Sequence, residues 1–158
     1  MATRKFTYGA KADDALSLWV KLARAHALML KVSGRDISRC GLTQPQFAVI
    51  ELLGHLGPMK MNMISAKMLV TGGNMTIVVD NLEKSGLVER ARCLEDRRAI
   101  WIRLTRKGTA FFQKVFPPHA DFVAEAMSVL SRKEVSELGA LLKKFGLALQ
   151  DKYPDDLG

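Results

Sequence analysis

Apolar positions recur along this chain with two different periods, and the places where the period changes divide it into elements. Leu16, Trp19, Val20, Ala23, Ala27 and Leu30 fall at helical spacing while Lys21, Arg24 and Lys31 lie outside the stripe. A long amphipathic helix is therefore expected, starting from a cap at Asp13 or Asp14. Thr43-Gln44-Pro45-Gln46 is a second start signal: Thr43 caps, Pro45 suits an early helical position and Gln46 completes a capping box. Phe47, Val49, Ile50, Leu52 and Leu53 supply the buried side of that helix, which is expected to end at Gly54 and Gly57-Pro58.

Between Met61 and Val70 a short apolar segment holds Ile64, Ala66, Met68 and Leu69, and Thr71-Gly72-Gly73-Asn74 interrupts it. Met75, Val78, Val79 and Leu82 then form one helical face, with Asn74, Thr76, Asp80, Asn81 and Lys84 directed elsewhere. Gly86 suits the left-handed position that closes a helix, and Leu87 supplies the accompanying apolar contact. Two short helices joined by a glycine-containing turn predict a helix-turn-helix.

Here the period falls to two. Ile100, Ile102 and Leu104 alternate with Trp101, Arg103 and Thr105, and residues 87–92 form the other arm of a hairpin. Its polar tip, Cys93-Leu94-Glu95-Asp96-Arg97-Arg98, reads as a wing. Helical spacing returns beyond Gly108 with Phe112, Val115, Phe116, Val123, Met127 and Leu130, and Pro117-Pro118 predicts a kink. Ser131-Arg132-Lys133-Glu134 is a further capping box, opening a last helix with Leu138, Leu141, Leu142, Phe145 and Leu149. The expected fold is mainly α with a small β wing: one domain over 1–158, a winged helix-turn-helix lobe over 42–108, and terminal helices over 12–40 and 109–152.

Composition narrows the function. The chain has 158 residues, 48% hydrophobic and 25% charged, which suits one folded domain with a real core. Charged residues interrupt every apolar segment and the N-terminus lacks a secretory pattern, so a cytoplasmic protein without a membrane partner is expected. Cys40 and Cys93, with His26, His55 and His119, show no metal-ligand or catalytic spacing, so neither a cofactor nor an enzyme is expected. The net charge of +8 asks for an anionic partner. Lys60, Lys67, Lys84, Arg90, Arg92, Arg97, Arg98, Arg103, Arg106 and Lys107 outnumber Asp80, Glu83, Glu89, Glu95 and Asp96 across the helix-turn-helix and wing. Basic residues there attract phosphate, while short polar side chains at the start of the second helix can read base edges, so double-stranded DNA is the expected partner.

The motifs Leu69-Val70-Thr71-Gly72-Gly73-Asn74-Met75-Thr76, Leu82-Glu83-Lys84-Ser85-Gly86-Leu87-Val88-Glu89-Arg90, and Asp96-Arg97-Arg98 with Leu104-Thr105-Arg106-Lys107-Gly108 together resemble the MarR family of bacterial transcription regulators. The resemblance implies a homodimer joined through the N- and C-terminal helices, with the second helix of the motif in the major groove and the wing in the flanking minor groove. Asp96 would brace that wing and Arg98 would insert at its tip. Leu94 stands where many members carry proline, and Glu95 adds an acid beside the tip. The resemblance also implies a repressor released by a small phenolic or aromatic carboxylate effector.

The candidate DNA-binding residues are Lys67, Thr71, Gly73, Asn74, Thr76, Arg90, Asp96, Arg97 and Arg98. Trp19, His26, Phe47 and His55 are candidates for the effector site, with packing as the competing role for each. Cys93, among Arg90, Arg92 and Arg97, is the better candidate than Cys40 for a redox or quinone sensor. A winged-helix protein-interaction module is the remaining alternative.

Overall fold

Nine elements follow one another in a computed structural model of the chain, which describes residues 6–69, 72–92 and 100–154. They are α1 (Ala10–Ser38), α2 (Gln44–Leu56), β1 (Met59–Lys60), α3 (Met61–Met68), α4 (Gly72–Lys84), β2 (Val88–Arg92), β3 (Ile100–Leu104), α5 (Arg106–Ala126) and α6 (Arg132–Lys152).

Local chemistry sets most of the boundaries. Thr43 caps α2 by accepting the Gln46 N–H, and the Gln46 side chain accepts the Thr43 N–H at 2.9 Å, so the predicted capping box forms. Ser131 and Glu134 make the same exchange at the start of α6. The Ser131 hydroxyl and N–H both donate to the Glu134 carboxylate and hold it below the usual glutamate range. At the end of α4, Gly86 takes φ 73° while its N–H reaches the Glu83 carbonyl and the Leu87 N–H reaches Leu82. These paired bonds satisfy two terminal carbonyls, as the sequence anticipates. Helix α3 instead ends on Leu69 at φ 51°, the one non-glycine residue with positive φ among those described.

Two boundaries differ from expectation. Helix α1 begins at Ala10, ahead of the aspartates; Asp13 does not cap it but accepts the Tyr8 N–H at 3.3 Å and tethers the incoming chain. Gly54 does not stop α2. It lies inside the helix, where a Cβ would sit 2.5 Å from the Phe112 ring, so its missing side chain is a notch that lets α5 approach. Helix α5 continues through Pro117 and Pro118. Both prolines are exposed, and burial of Val115 and His119 on the opposite side keeps the helix packed despite the missing N–H donors.

The principal core gathers Val49, Ile50 and Leu53 of α2, Ile64 of α3, Met75, Val79 and Leu82 of α4, and Met59, Leu87, Val88 and Ile102 around the sheet. The sheet runs β1-β3-β2 and is antiparallel throughout, with Val88 opposite Leu104 and Arg92 opposite Ile100. Strand β1, which pairs Met59 with Ile102, was not foreseen because two residues carry no period. A smaller cluster of Ile37, Phe47 and Val115 joins α1, α2 and α5.

Helix α1 buries only Ser33 and Ile37, and α6 buries nothing within the chain. Leu16, Trp19, Val20, Leu138, Leu142 and Phe145 all face outward on these two helices.

Candidate nucleic-acid interface

Helix α4 has one side committed to the core through Met75, Val79 and Leu82, which dictates what its other side presents. Gly73, Asn74, Thr76, Ile77, Asn81 and Lys84 are exposed, and Asn74, Ile77, Asn81 and Lys84 fall at spacings that align them along the helix. A Cβ at Gly72 or Gly73 would meet nothing within 4 Å, so the helix N-terminus stands open to a close approach. The Thr76 hydroxyl donates back to the Gly72 carbonyl at 3.0 Å, leaving its oxygen able to accept. Ile77, 61% exposed, was missed in the sequence reading. The signal was present, because the inward positions 75, 79 and 82 leave 77 on the other side.

The basic residues divide into committed and outward groups. Arg90 on β2 donates through Nη2 to Asp80 Oδ1 at 2.6 Å, through Nη1 to Glu83 Oε2, and through its backbone N–H to Glu83 Oε1 at 3.2 Å. Its guanidinium is thus held by two carboxylates of α4. Arg103 pairs across the strands with Glu89 at 2.6 Å. Lys107 donates to the Ser85 carbonyl at 2.7 Å beside the end of α4, and Lys60 lies 6.0 Å from the centre of the Trp101 ring. Lys67 on α3 and Lys84 on α4 are exposed. Thr71, Cys93, Asp96, Arg97 and Arg98 lie outside the described residues.

The wing base is anchored to α5. Thr105 caps α5 by accepting the Gly108 N–H at 2.9 Å, and its hydroxyl donates to the Gly86 carbonyl at 2.7 Å. Its own N–H reaches the Leu87 carbonyl at 3.1 Å. Gly108 is buried directly beneath that carbonyl.

Of the effector candidates, Phe47 and His55 both belong to α2 but lie in different surroundings. Phe47 is 3% exposed and packs edge-on to His119 at 4.6 Å between centroids. It lies in the smaller core cluster, the packing role that competes with effector contact. His55 meets Phe116 and Phe112 edge-on at 4.4 and 5.1 Å. It also lines a cavity of about 510 Å³ with Glu51, Leu52, Leu56, Lys67 and Met68. Trp19 and His26 are exposed on α1, and among the described residues no ring contact joins them to the α2 aromatics.

Sequence reading missed His119, whose Nδ1 lies 2.8 Å from Asp36 Oδ2 in a part-buried pair joining α5 to α1. The two residues are 83 positions apart, beyond any local pattern. No group of three or more metal-ligating side chains occurs among the described residues, and none of the described helices is long and apolar enough to cross a membrane.

Comparison with known proteins bears on this geometry. The sequence model of the MarR family matches residues 42–100, which run from the start of α2 to the second strand of the wing. The uncharacterized HTH-type transcriptional regulator YkoM of Bacillus subtilis is 37% identical over 89% of this chain and 91% of its own length. The chain belongs to the MarR family of DNA-binding transcription regulators. MhqR, another HTH-type transcriptional regulator of Bacillus subtilis, is 36% identical over 85% of this MarR-family chain and 93% of its own. Two solved structures share the winged-helix fold. A MarR variant from Escherichia coli complexed with operator DNA superposes with a TM-score of 0.75 at 22% identity, covering 87% of this chain and 99% of that one. NadR in complex with 4-hydroxyphenylacetate gives 0.73 at 20% identity, covering 92% and 97%.

Within this MarR-family regulator, the described cysteine is poorly placed for redox chemistry. Burial pushes the Cys40 thiol up, and the Asp36 carboxylate adds to that shift, so less of the reactive thiolate is present at neutral pH. In a Cys93→Ser background, Cys40 is expected to react with an aromatic disulfide at pH 7 more slowly than free cysteine. Stopped-flow absorbance checks this; a rate equal to or above that of free cysteine would contradict the assignment.

Proposed function

We propose that this MarR-family regulator is a cytoplasmic repressor that acts by binding rather than catalysis, as a homodimer on a pseudo-palindromic operator. The observation that carries the reading is the outward side of α4, where Asn74, Thr76, Ile77 and Asn81 stand clear beside the wing base. Asn74 and Asn81 suit adenine edges, Ile77 suits a thymine methyl, and the open Gly73 backbone suits a phosphate. Lys67 and Thr71 would add backbone positioning, while Arg97 and Arg98 would address the flanking minor groove and Asp96 would brace the wing. The uncovered apolar sides of α1 and α6 support a two-fold dimer, because so extensive an exposed apolar surface marks an interface. The residue ranges 12–40 and 109–152 then serve dimerisation, with 42–108 serving DNA.

The effector is a small phenolic or aromatic carboxylate in the cavity beside His55. Leu52, Leu56 and Met68 offer an apolar wall, and Glu51 and Lys67 line it with charges of opposite sign. Binding of 4-hydroxyphenylacetate by the similarly folded NadR supports this chemistry. Trp19 and His26 lie on the uncovered helix α1 and join the compartment through dimer packing.

A duplex recovered by selection from genomic fragments, titrated at several salt concentrations, tests the DNA reading. If the dimer neutralises roughly six to ten phosphates, log affinity falls against log salt with a slope of about −5 to −9. Salt-insensitive association with a protein partner instead, with no duplex retained, would establish the interaction-module alternative.

A further inference from the structure

We infer that Arg90, Asp80 and Glu83 form a positioning brace that fixes the angle between the recognition helix α4 and the wing, and that the two acids strengthen DNA binding although they carry the same sign as the phosphates. Asp80 and Glu83 are three residues apart and therefore share one side of α4. Arg90, on the first strand of the wing, spans both with opposite ends of one guanidinium, while its backbone N–H holds the second oxygen of Glu83. A planar fork gripping two carboxylates and a main-chain tie on the same residue leave β2 little freedom to rotate about the Gly86 turn.

The placement of the acids runs against local electrostatics. Both lie in the C-terminal half of α4, where the helix macrodipole opposes negative charge, and both add repulsion on an element that faces phosphate. Arg90 compensates both costs, and its side chain is only 25% exposed. The major-groove reader and the minor-groove reader are thus delivered to DNA at a preset separation, and the ordering cost of the wing is met before binding.

Simple electrostatics and the brace give opposite signs for one experiment. Asp80→Asn and Glu83→Gln each raise the net charge, so charge alone requires tighter binding to the selected duplex. The brace requires each to weaken it, by about tenfold, with Arg90→Gln similar and the Arg90→Gln/Glu83→Gln pair little worse than Arg90→Gln alone because the residues act as one unit. Arg90→Lys, which keeps the charge but cannot span both acids, is expected to recover only part of the affinity. Thermal unfolding and sedimentation confirm that each variant is folded and dimeric. Hydroxyl-radical footprinting provides a readout even where stability falls, with protection of the flanking minor groove lost before that of the central major groove. Unchanged or tighter binding by Asp80→Asn and Glu83→Gln, or protection of the flanking minor groove that persists as long as that of the central site in Arg90→Gln, would overturn the brace.

Discussion

Replacing Gly108 with alanine is expected to cost about 3 kcal/mol of stability, at the upper end of the range for overpacking a fitted site. A Cβ there would lie 1.9 Å from the Leu87 carbonyl oxygen and 2.9 Å from its carbon. Those are backbone atoms, and the same carbonyl already accepts the Thr105 N–H. Relief therefore requires moving either the wing base or the first turn of α5, and no rotamer change suffices. For a chain of this length the corresponding fall in Tm is about 6–12 °C. Differential scanning calorimetry measures it directly. A variant melting with the wild type would show that the junction between wing and α5 is loose.

The second large effect concerns α6. Leu138 and Leu142 are one helical turn apart and both exposed in the protomer, as is Phe145 beyond them. A Leu138→Glu/Leu142→Glu variant places two charges in the proposed dimer contact while leaving the core around Ile50, Ile64 and Leu82 untouched. Sedimentation velocity is expected to find a folded monomer. Separating the two readers removes the gain from tethered half-sites, so affinity for the full duplex falls by roughly 10²–10⁴-fold. A variant that remains dimeric would move the interface elsewhere. A monomer retaining full affinity would refute paired half-site binding.

Much of the architecture was legible because its signals are local. The exchange between Thr43 and Gln46, the one between Ser131 and Glu134, and the left-handed Gly86 are each determined within a few residues, and the structure contains all three. The period-two run at Ile100, Ile102 and Leu104 likewise located β3. Misreadings arose where distant chain segments decide. Glycine in sequence signals a break, yet Gly54 is required by a ring on α5. Asp36 and His119 have no relation until α1 and α5 are packed. Arg90 counted toward a basic cluster because net charge cannot reveal that the α4 acids come round the turn to hold it. The inward side of α4 was read correctly, and its outward side follows by subtraction, including Ile77.

The seating of Gly108 against Leu87 gives the molecule a mechanical character as well as stability. Helix α5 has 21 residues and is therefore about 30 Å long at 1.5 Å per residue. One end is locked to the reading lobe, and the other leads toward α6. Such a helix is a lever arm: a tilt of about 10° at one end displaces the other by about 5 Å, roughly the pitch of one α-helical turn. The proposed homodimer would have to match about 34 Å between half-site centres. In it two such levers would form a caliper, and the proposed ligand would need to change their angle only slightly for its jaws to miss the grooves.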